Sequence, residues 1–313
     1  MKVNIFILVV LYVVYFGVLI TLGYLSYKMP SFLKGKPNKS SEENEEIKVT
    51  SQNYIYTIIL LSIVGILVNT YILVQGTALE SHLMEWLNII IRVMHITFGI
   101  AWIGASFYFV FLENALNRTE DVREELAGNL WAVHGGGFYY LEKYKVAPKT
   151  IPKDLHWFKY EAYFTWLSGF CLLFVVYYFN ASAFLIDKNV LDITATQGIL
   201  IGVGSFVVSW LIYDLMCKSA LIKNQLAFAI IGFIILIGFA WFYCHVFSAR
   251  AAYIHFGAMI GSIMVANVFF VIIPSQKAMV KAAKLGLPLD PTLGKKALAR
   301  SLHNNYFTLP VLF

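Results

Sequence analysis

Charge is what this sequence has least of. Charged residues fill 13% of its 313 positions, about half the roughly 25% usual in soluble domains. Hydrophobic residues fill 59%, and mean hydropathy is +0.69. That balance excludes a pair of soluble domains and places the chain among polytopic membrane proteins. Cysteine is scarce too: Cys171, Cys217 and Cys244 lie scattered in or beside apolar segments. No CxxC or CxxCH occurs, so a disulfide scaffold, a zinc site and covalent haem attachment are all unsupported. The N-terminal run from Val3 to Tyr27 lacks a small-residue cleavage site and exceeds a signal-peptide core, so it reads as a retained helix. The net charge of +6 suits basic loops on one side of a membrane, and nucleic acid is not an expected partner.

What is present is a series of apolar runs long enough to cross a bilayer, about 20 residues each. They fall near 4–27, 54–76, 87–112, 160–180, 197–216, 226–247 and 251–275, while 304–313 opens another that stops halfway. The expected fold is all-α: a polytopic integral membrane helical bundle of seven complete transmembrane helices plus the start of an eighth. A following segment is expected to complete that last span. Twenty Lys and Arg residues fall in the odd-numbered connections and two in the even-numbered ones. Because basic loops stay cytoplasmic, the N-terminus is expected outside and loops 28–53, 113–159 and 276–303 inside. Loop 28–53 reads as a solvated linker. Loop 113–159 carries WAVHGGGFYYLEKYKVAP, too aromatic for a linker, and is expected to pack on the cytoplasmic face through a short interfacial helix.

This topology sorts the histidines into layers. His95, His245 and His255 share the outer leaflet, and ionisable side chains inside a membrane are functional candidates. Two facing histidines in one leaflet suit a b-type haem, with His95 and His255 the preferred ligands and His245 the substitute. His95, Gly99, Trp102 and Ser106 share one helical stripe, and Gly257 and Gly261 after His255 remove side-chain bulk. Arg92 and Arg250 are placed to meet haem propionates. Cross-helix hydrogen bonding or a proton relay explains buried histidines equally well, and small residues also mark plain helix contacts.

The inner layer offers other chemistry. His134, His156, Lys159, Glu161, His303 and Asn304 bring acid–base groups and an amide to the cytoplasmic side, among aromatics that suit a flat heterocycle or, equally, an interfacial belt. Asp214 and Lys218 stand i,i+4 near the end of a span and read as a local ion pair.

Five stretches carry a resemblance: LMEWLNIIIRVMHITFGIAWIGASFYF, WAVHGGGFYYLEKYKVAP, LHWFKYEAYFTWLSG, SARAAYIHFGAMIGSIMVANVFFVIIP and RSLHNNYFTLPVLF. Over about residues 82–313 the chain resembles the bacterial membrane-bound, cytochrome-c-coupled urate hydroxylases, whose membrane region is the urate oxidase N-terminal family. The resemblance implies hydroxylation of urate to 5-hydroxyisourate, with water as oxygen source and electrons passed to a periplasmic c-type cytochrome. It also implies a location in the bacterial inner membrane. Residues 1–81, with two extra N-terminal spans, stand outside it. The family's cytochrome c domain has no counterpart here, so its haem c would sit on a missing domain or a separate partner. The alternative reading is a haem-bearing anchor or electron-transfer subunit of a respiratory complex.

Overall fold

The computed structural model describes residues 72–313 except 120 and 149, together with 62, 65, 66, 69 and 70. The expected span at 4–27, more than half of that at 54–76, and loop 28–53 lie outside the described residues. The chain divides into two units, Met1–Glu85 and Trp86–Phe313. In the first, the chain turns at Gly76 (φ +75°), whose N–H is accepted by the Glu80 carboxylate at 2.6 Å. An acidic residue in the first turn suits the helix N-terminus that starts there.

Among the described residues, five helices are long and apolar enough to cross a membrane: Leu79–Ala115, Tyr160–Tyr178, Ala195–Lys218, Gln225–Cys244 and Ala249–Lys284. They fall on five of the seven expected runs. In chain order the helices are α1 (Ala78–Ala115), α2 (Tyr160–Leu173), the short α3 (Ala181–Phe184), α4 (Ala195–Lys218), α5 (Gln225–Cys244), α6 (Ala249–Asn267), α7 (Ile273–Lys284) and α8 (Pro291–Leu312). Their starts are written in local chemistry. Thr194 and Gln197 form a capping box before α4, each side chain accepting the other's backbone N–H. Asn224 Oδ1 accepts the Ala227 N–H at the start of α5. Asp290 accepts from the Thr292 hydroxyl and N–H, which holds its carboxyl below the usual range, and Pro291 follows at the first helical position.

The connection before α2 departs from the expected all-α fold. Leu126–His134 (β1) pairs antiparallel with Gly137–Tyr144 (β2), with Trp131 opposite Tyr140 and Val133 opposite Phe138. Gly135 and Gly136 turn the chain at φ +57° and +80°, the left-handed pair that a two-residue hairpin loop requires. This hairpin replaces the expected interfacial helix. Its aromatics do not pack away either: Phe138 is 79% exposed and Trp131 68%. Its base is fastened to the end of α1, where Glu113 pairs with Arg118 at 3.0 Å and with Lys143.

The core forms around α6, which packs against α2, α4, α5 and α8. Ala251, Ala252, His255, Met259 and Ile260 are at most 1% exposed. Large apolar side chains point outward instead on α5, among them Leu226, Phe233 and Trp241, as a lipid-facing helix requires. Turns of π-helix interrupt the register at Phe174–Tyr178 after α2 and Val268–Ile272 after α6. Such turns re-aim side chains and frequently mark functional sites.

Polar groups close the inner half of the core. Arg300, 3% exposed, donates to Asp214 Oδ1 at 2.6 Å and to Asn267 Oδ1 at 3.1 Å. The Asn267 amide nitrogen reaches Asn304 Oδ1 (3.0 Å) and the Tyr213 hydroxyl (3.2 Å). Lys218 pairs with Asp214 Oδ2 at 2.5 Å, so the expected local pair is present but is the outer half of a larger cluster. Sequence reading left Arg300 in a cytoplasmic loop, with the last span starting at residue 304. In the structure the helix begins a full three turns earlier, at Pro291.

Removing Arg300 leaves Asp214 in the core with one exposed partner. Arg300→Met is expected to cost about 3–5 kcal/mol, the usual penalty for stranding half of a buried pair. A detergent-solubilised thermal melt measures it, and adding Asp214→Asn should recover most of the loss.

Candidate functional site

A cavity of about 610 Å³ opens between α1, α2, α6 and α8, within the range of cofactor sites. His95 on α1 lines it, and its Nδ1 lies 3.0 Å from the Thr165 carbonyl of α2. A nitrogen facing a carbonyl carries the proton, so Nε2 keeps its lone pair. The close approach depends on Gly169, where a Cβ would fall 2.7 Å from His95 Cε1. The expected stripe is realised, because Gly99, Trp102 and Ser106 line the same space. Across it lie Gly257 and Gly261 of α6, and a Cβ at Gly99 or Gly257 would meet nothing within 4 Å. Arg92 and Arg250 also line the cavity.

One residue of this wall escaped sequence reading. Tyr177 sits in the π-helical turn after α2, is 4% exposed and lines the cavity. Its hydroxyl has no hydrogen-bond partner among the described residues, and the Arg250 guanidinium stands 6.0 Å from its ring centroid. A buried hydroxyl left unpaired costs free energy, so this donor is placed for something that enters the cavity. No sequence signal separates Tyr177 from Tyr178, because the widened turn alone decides which of them faces inward.

His255 is elsewhere. It is fully buried, does not line the cavity, and has both ring nitrogens engaged: Nδ1 with the Ala251 carbonyl at 2.8 Å and Nε2 with the Tyr178 hydroxyl at 3.0 Å. Gly202 on α4 makes room for that pair, since a Cβ there would lie 2.8 Å from the Tyr178 oxygen. His95 and His255 are therefore not brought together across one space. His245 caps the end of α5, exposed and stacked on Trp241 at 4.2 Å. Among the described residues no group of three or more His, Cys, Asp or Glu converges as a metal site.

The inner-layer candidates also separate. His134 ends β1 at the hairpin tip. His156 is 70% exposed in its side chain, 3.8 Å from Glu161, and Lys159 lies over the Tyr160 ring. Glu161 keeps one buried carboxylate oxygen without a partner. His303 and Asn304 belong to α8 and face different cavities. Asn304 lines the first, while His303 lines a second of about 530 Å³ between α4, α5 and α8. None of the other four lines either cavity.

Fold and site together define a polytopic, mostly helical membrane protein with a cofactor-sized cavity around one histidine. The sequence matches the urate oxidase N-terminal family over residues 81–313, and the chain belongs to that family. No curated protein and no solved structure matches it.

Two glycines test how this cavity is built. Gly169→Ala drives a methyl into His95 and is expected to lower the thermal midpoint by the equivalent of about 1–3 kcal/mol. Gly99→Ala, with open space before it, should leave the midpoint unchanged or slightly raised.

Proposed function

We propose that this chain is an oxidoreductase of the bacterial inner membrane that hydroxylates urate to 5-hydroxyisourate and delivers the electrons to a periplasmic c-type cytochrome. The family supports urate as the substrate, and the five apolar helices support a membrane location. The observation that carries the redox reading is the cavity at His95, with an imidazole fixed to leave Nε2 free, glycines beside it and cationic side chains on its wall. In this reading seven helices cross the membrane with the N-terminus outside, and residues 1–81 supply two of them.

The residues fit a b-type haem held by His95, with Arg92, Arg250 and the Tyr177 hydroxyl available to its carboxylates. Bound there, the haem would supply one-electron transfer. His255 does not line that cavity and its Nε2 is held by the Tyr178 hydroxyl, so it would not serve as a ligand there. His95 stays oriented through the Thr165 carbonyl, and the Ser168 hydroxyl 3.3 Å from Nδ1 supports it. Urate would be handled on the cytoplasmic side. There His156 beside Glu161 would take up a proton as water adds. Lys159, Asn304 and His134 are the remaining polar groups of that side.

A second reading is favoured by the separation of the inner candidates. In it the chain is a haem-bearing anchor or electron-transfer subunit of a respiratory complex.

A reduced-minus-oxidised spectrum of purified protein separates the two. The expected outcome is a b-type band that urate alone develops. A band that develops only with dithionite favours the anchor subunit, and no band with either removes haem from the cavity. His95→Ala should abolish the band, whereas His255→Ala should keep it and lower thermal stability. The reverse pattern would sink the assignment to His95.

A further inference from the structure

The second cavity asks for a different ligand. Its walls are almost wholly aliphatic and aromatic, with Ile212, Phe233, Leu236 and Phe239 among them. Its polar lining is Ser209, whose hydroxyl donates to the Phe206 carbonyl, the exposed Gln225 and Tyr306, and the pair Tyr213 and His303. The Tyr213 hydroxyl lies 2.7 Å from His303 Nδ1, and the same hydroxyl accepts the Asn267 amide at 3.2 Å. The phenol oxygen that receives from Asn267 keeps its own proton available to His303 Nδ1, and when it donates there the imidazole is the Nε2–H tautomer; Cys217 Sγ lies 3.8 Å from the same nitrogen. Nε2–H has no partner among the described residues, and His303 lines the cavity, stacked on Phe228 at 4.8 Å and 23°. A ring N–H facing a mostly apolar space calls for a ligand with an acceptor oxygen on a flat ring and an apolar body.

We infer that this cavity binds a membrane quinone, with one ring carbonyl accepting from His303 Nε2–H and the ring lying beside Phe228. Urate does not suit it, being polar on every edge where most of this lining is apolar. A phospholipid acyl chain fills apolar space but brings no acceptor to His303. Haem does not suit it either, because in that tautomer Nε2 carries a proton and no lone pair. The site would give the protein a second electron acceptor inside the bilayer.

The redox step balances as quinone plus two electrons plus two protons giving quinol, with two O–H bonds formed. His303 passes its Nε2 proton to one quinone oxygen as Tyr213 gives its own to Nδ1, and the two protons released when urate is hydroxylated restore Tyr213 and protonate the second oxygen; the Arg300 guanidinium stands 4.9 Å from the Tyr213 ring. Binding stands on the geometry alone. Reduction rests on the urate reading above, because urate is the two-electron donor.

The test uses the full chain in lipid nanodiscs with an azido-ubiquinone photolabel, decylubiquinone as competitor, and peptide mapping. The expected result is labelling confined to the α4, α5 and α8 segments, displaced by decylubiquinone. It should fall about tenfold in His303→Leu, the worth of one buried hydrogen bond. Tyr213→Phe keeps the shape of the core and should weaken labelling as well, so a misfolded His303→Leu does not decide the matter alone. Equal labelling in wild type and both variants, or equal displacement by excess phosphatidylcholine, overturns the proposal in favour of a lipid tail. Labelling as expected, with urate reducing cytochrome c but not decylubiquinone, overturns the acceptor role while binding stands. Labelling as expected with no urate-dependent reduction of either acceptor counts against the urate reading instead.

Discussion

The pairing of Arg300 with Asp214 is the constraint around which the inner half of this bundle is arranged. A guanidinium and a carboxylate at 2.6 Å, both nearly excluded from solvent, are tolerable in a membrane only if every remaining valence is met. Asn267 meets the second arm of the guanidinium, and Lys218 meets the other carboxylate oxygen. Each member comes from a different place: Asp214 and Lys218 from α4, Asn267 from α6, Arg300 from α8. Three helices that share mostly apolar surface gain little orientation from hydrophobicity inside a bilayer, where lipid tails compete equally. The polar cluster supplies that orientation, because only one rotation of α8 puts Arg300 in reach of both partners.

With α8 locked in that rotation, its next turn is also fixed. His303 and Asn304 are neighbours about 100° apart around the helix, and the structure uses that angle to present them to two separate cavities. Asn304 is tied to Asn267 and to the Met264 carbonyl, which leaves it a wall residue of the first cavity. His303 is tied to Tyr213, whose hydroxyl also serves Asn267. The cluster is thus a partition: a change at Asp214 would be felt on both sides of α8.

Much of this was legible before any coordinates. Five apolar runs became helices at nearly the expected positions, and the stripe His95, Gly99, Trp102 and Ser106 faces one cavity as helical spacing demands. Gly257, Gly261, Arg92 and Arg250 joined it. The pairing with His255 was not legible from proximity in sequence. His255 and Gly257 are two residues apart, so they stand about 200° apart on a helix; a glycine that opens the cavity there turns the histidine away from it. The hairpin had its signal in WAVHGGGFYY, with large residues on both sides of consecutive glycines, but the membrane context argued for helix. Arg300 was hidden by hydropathy, which ends the apolar run at residue 304. Asp290 followed by Pro291 marked the true start of the helix. Tyr177 had no signal, because a π-turn is a matter of register and not of composition.

His95, His303 and His255 also show one device put to three uses. In each, what sits against Nδ1 decides what Nε2 can do. The Thr165 carbonyl takes the proton of His95 Nδ1, so Nε2 presents a lone pair, the state a metal requires. The Tyr213 hydroxyl lies against His303 Nδ1, and when it gives its proton there Nε2 presents N–H, the state an acceptor oxygen requires. For His255 the Ala251 carbonyl repeats the first arrangement, but the Tyr178 hydroxyl fills the lone pair and the side chain becomes a strut between α6 and the end of α2. Sequence alone ranks these histidines as equals, since all lie in or at the ends of apolar helices. Their neighbours at Nδ1 and Nε2 come from other helices, 70 to 90 residues away in the chain, apart from the local carbonyl at His255. Function at these positions is therefore assigned by helix packing, and the packing of α8 is in turn set by Arg300.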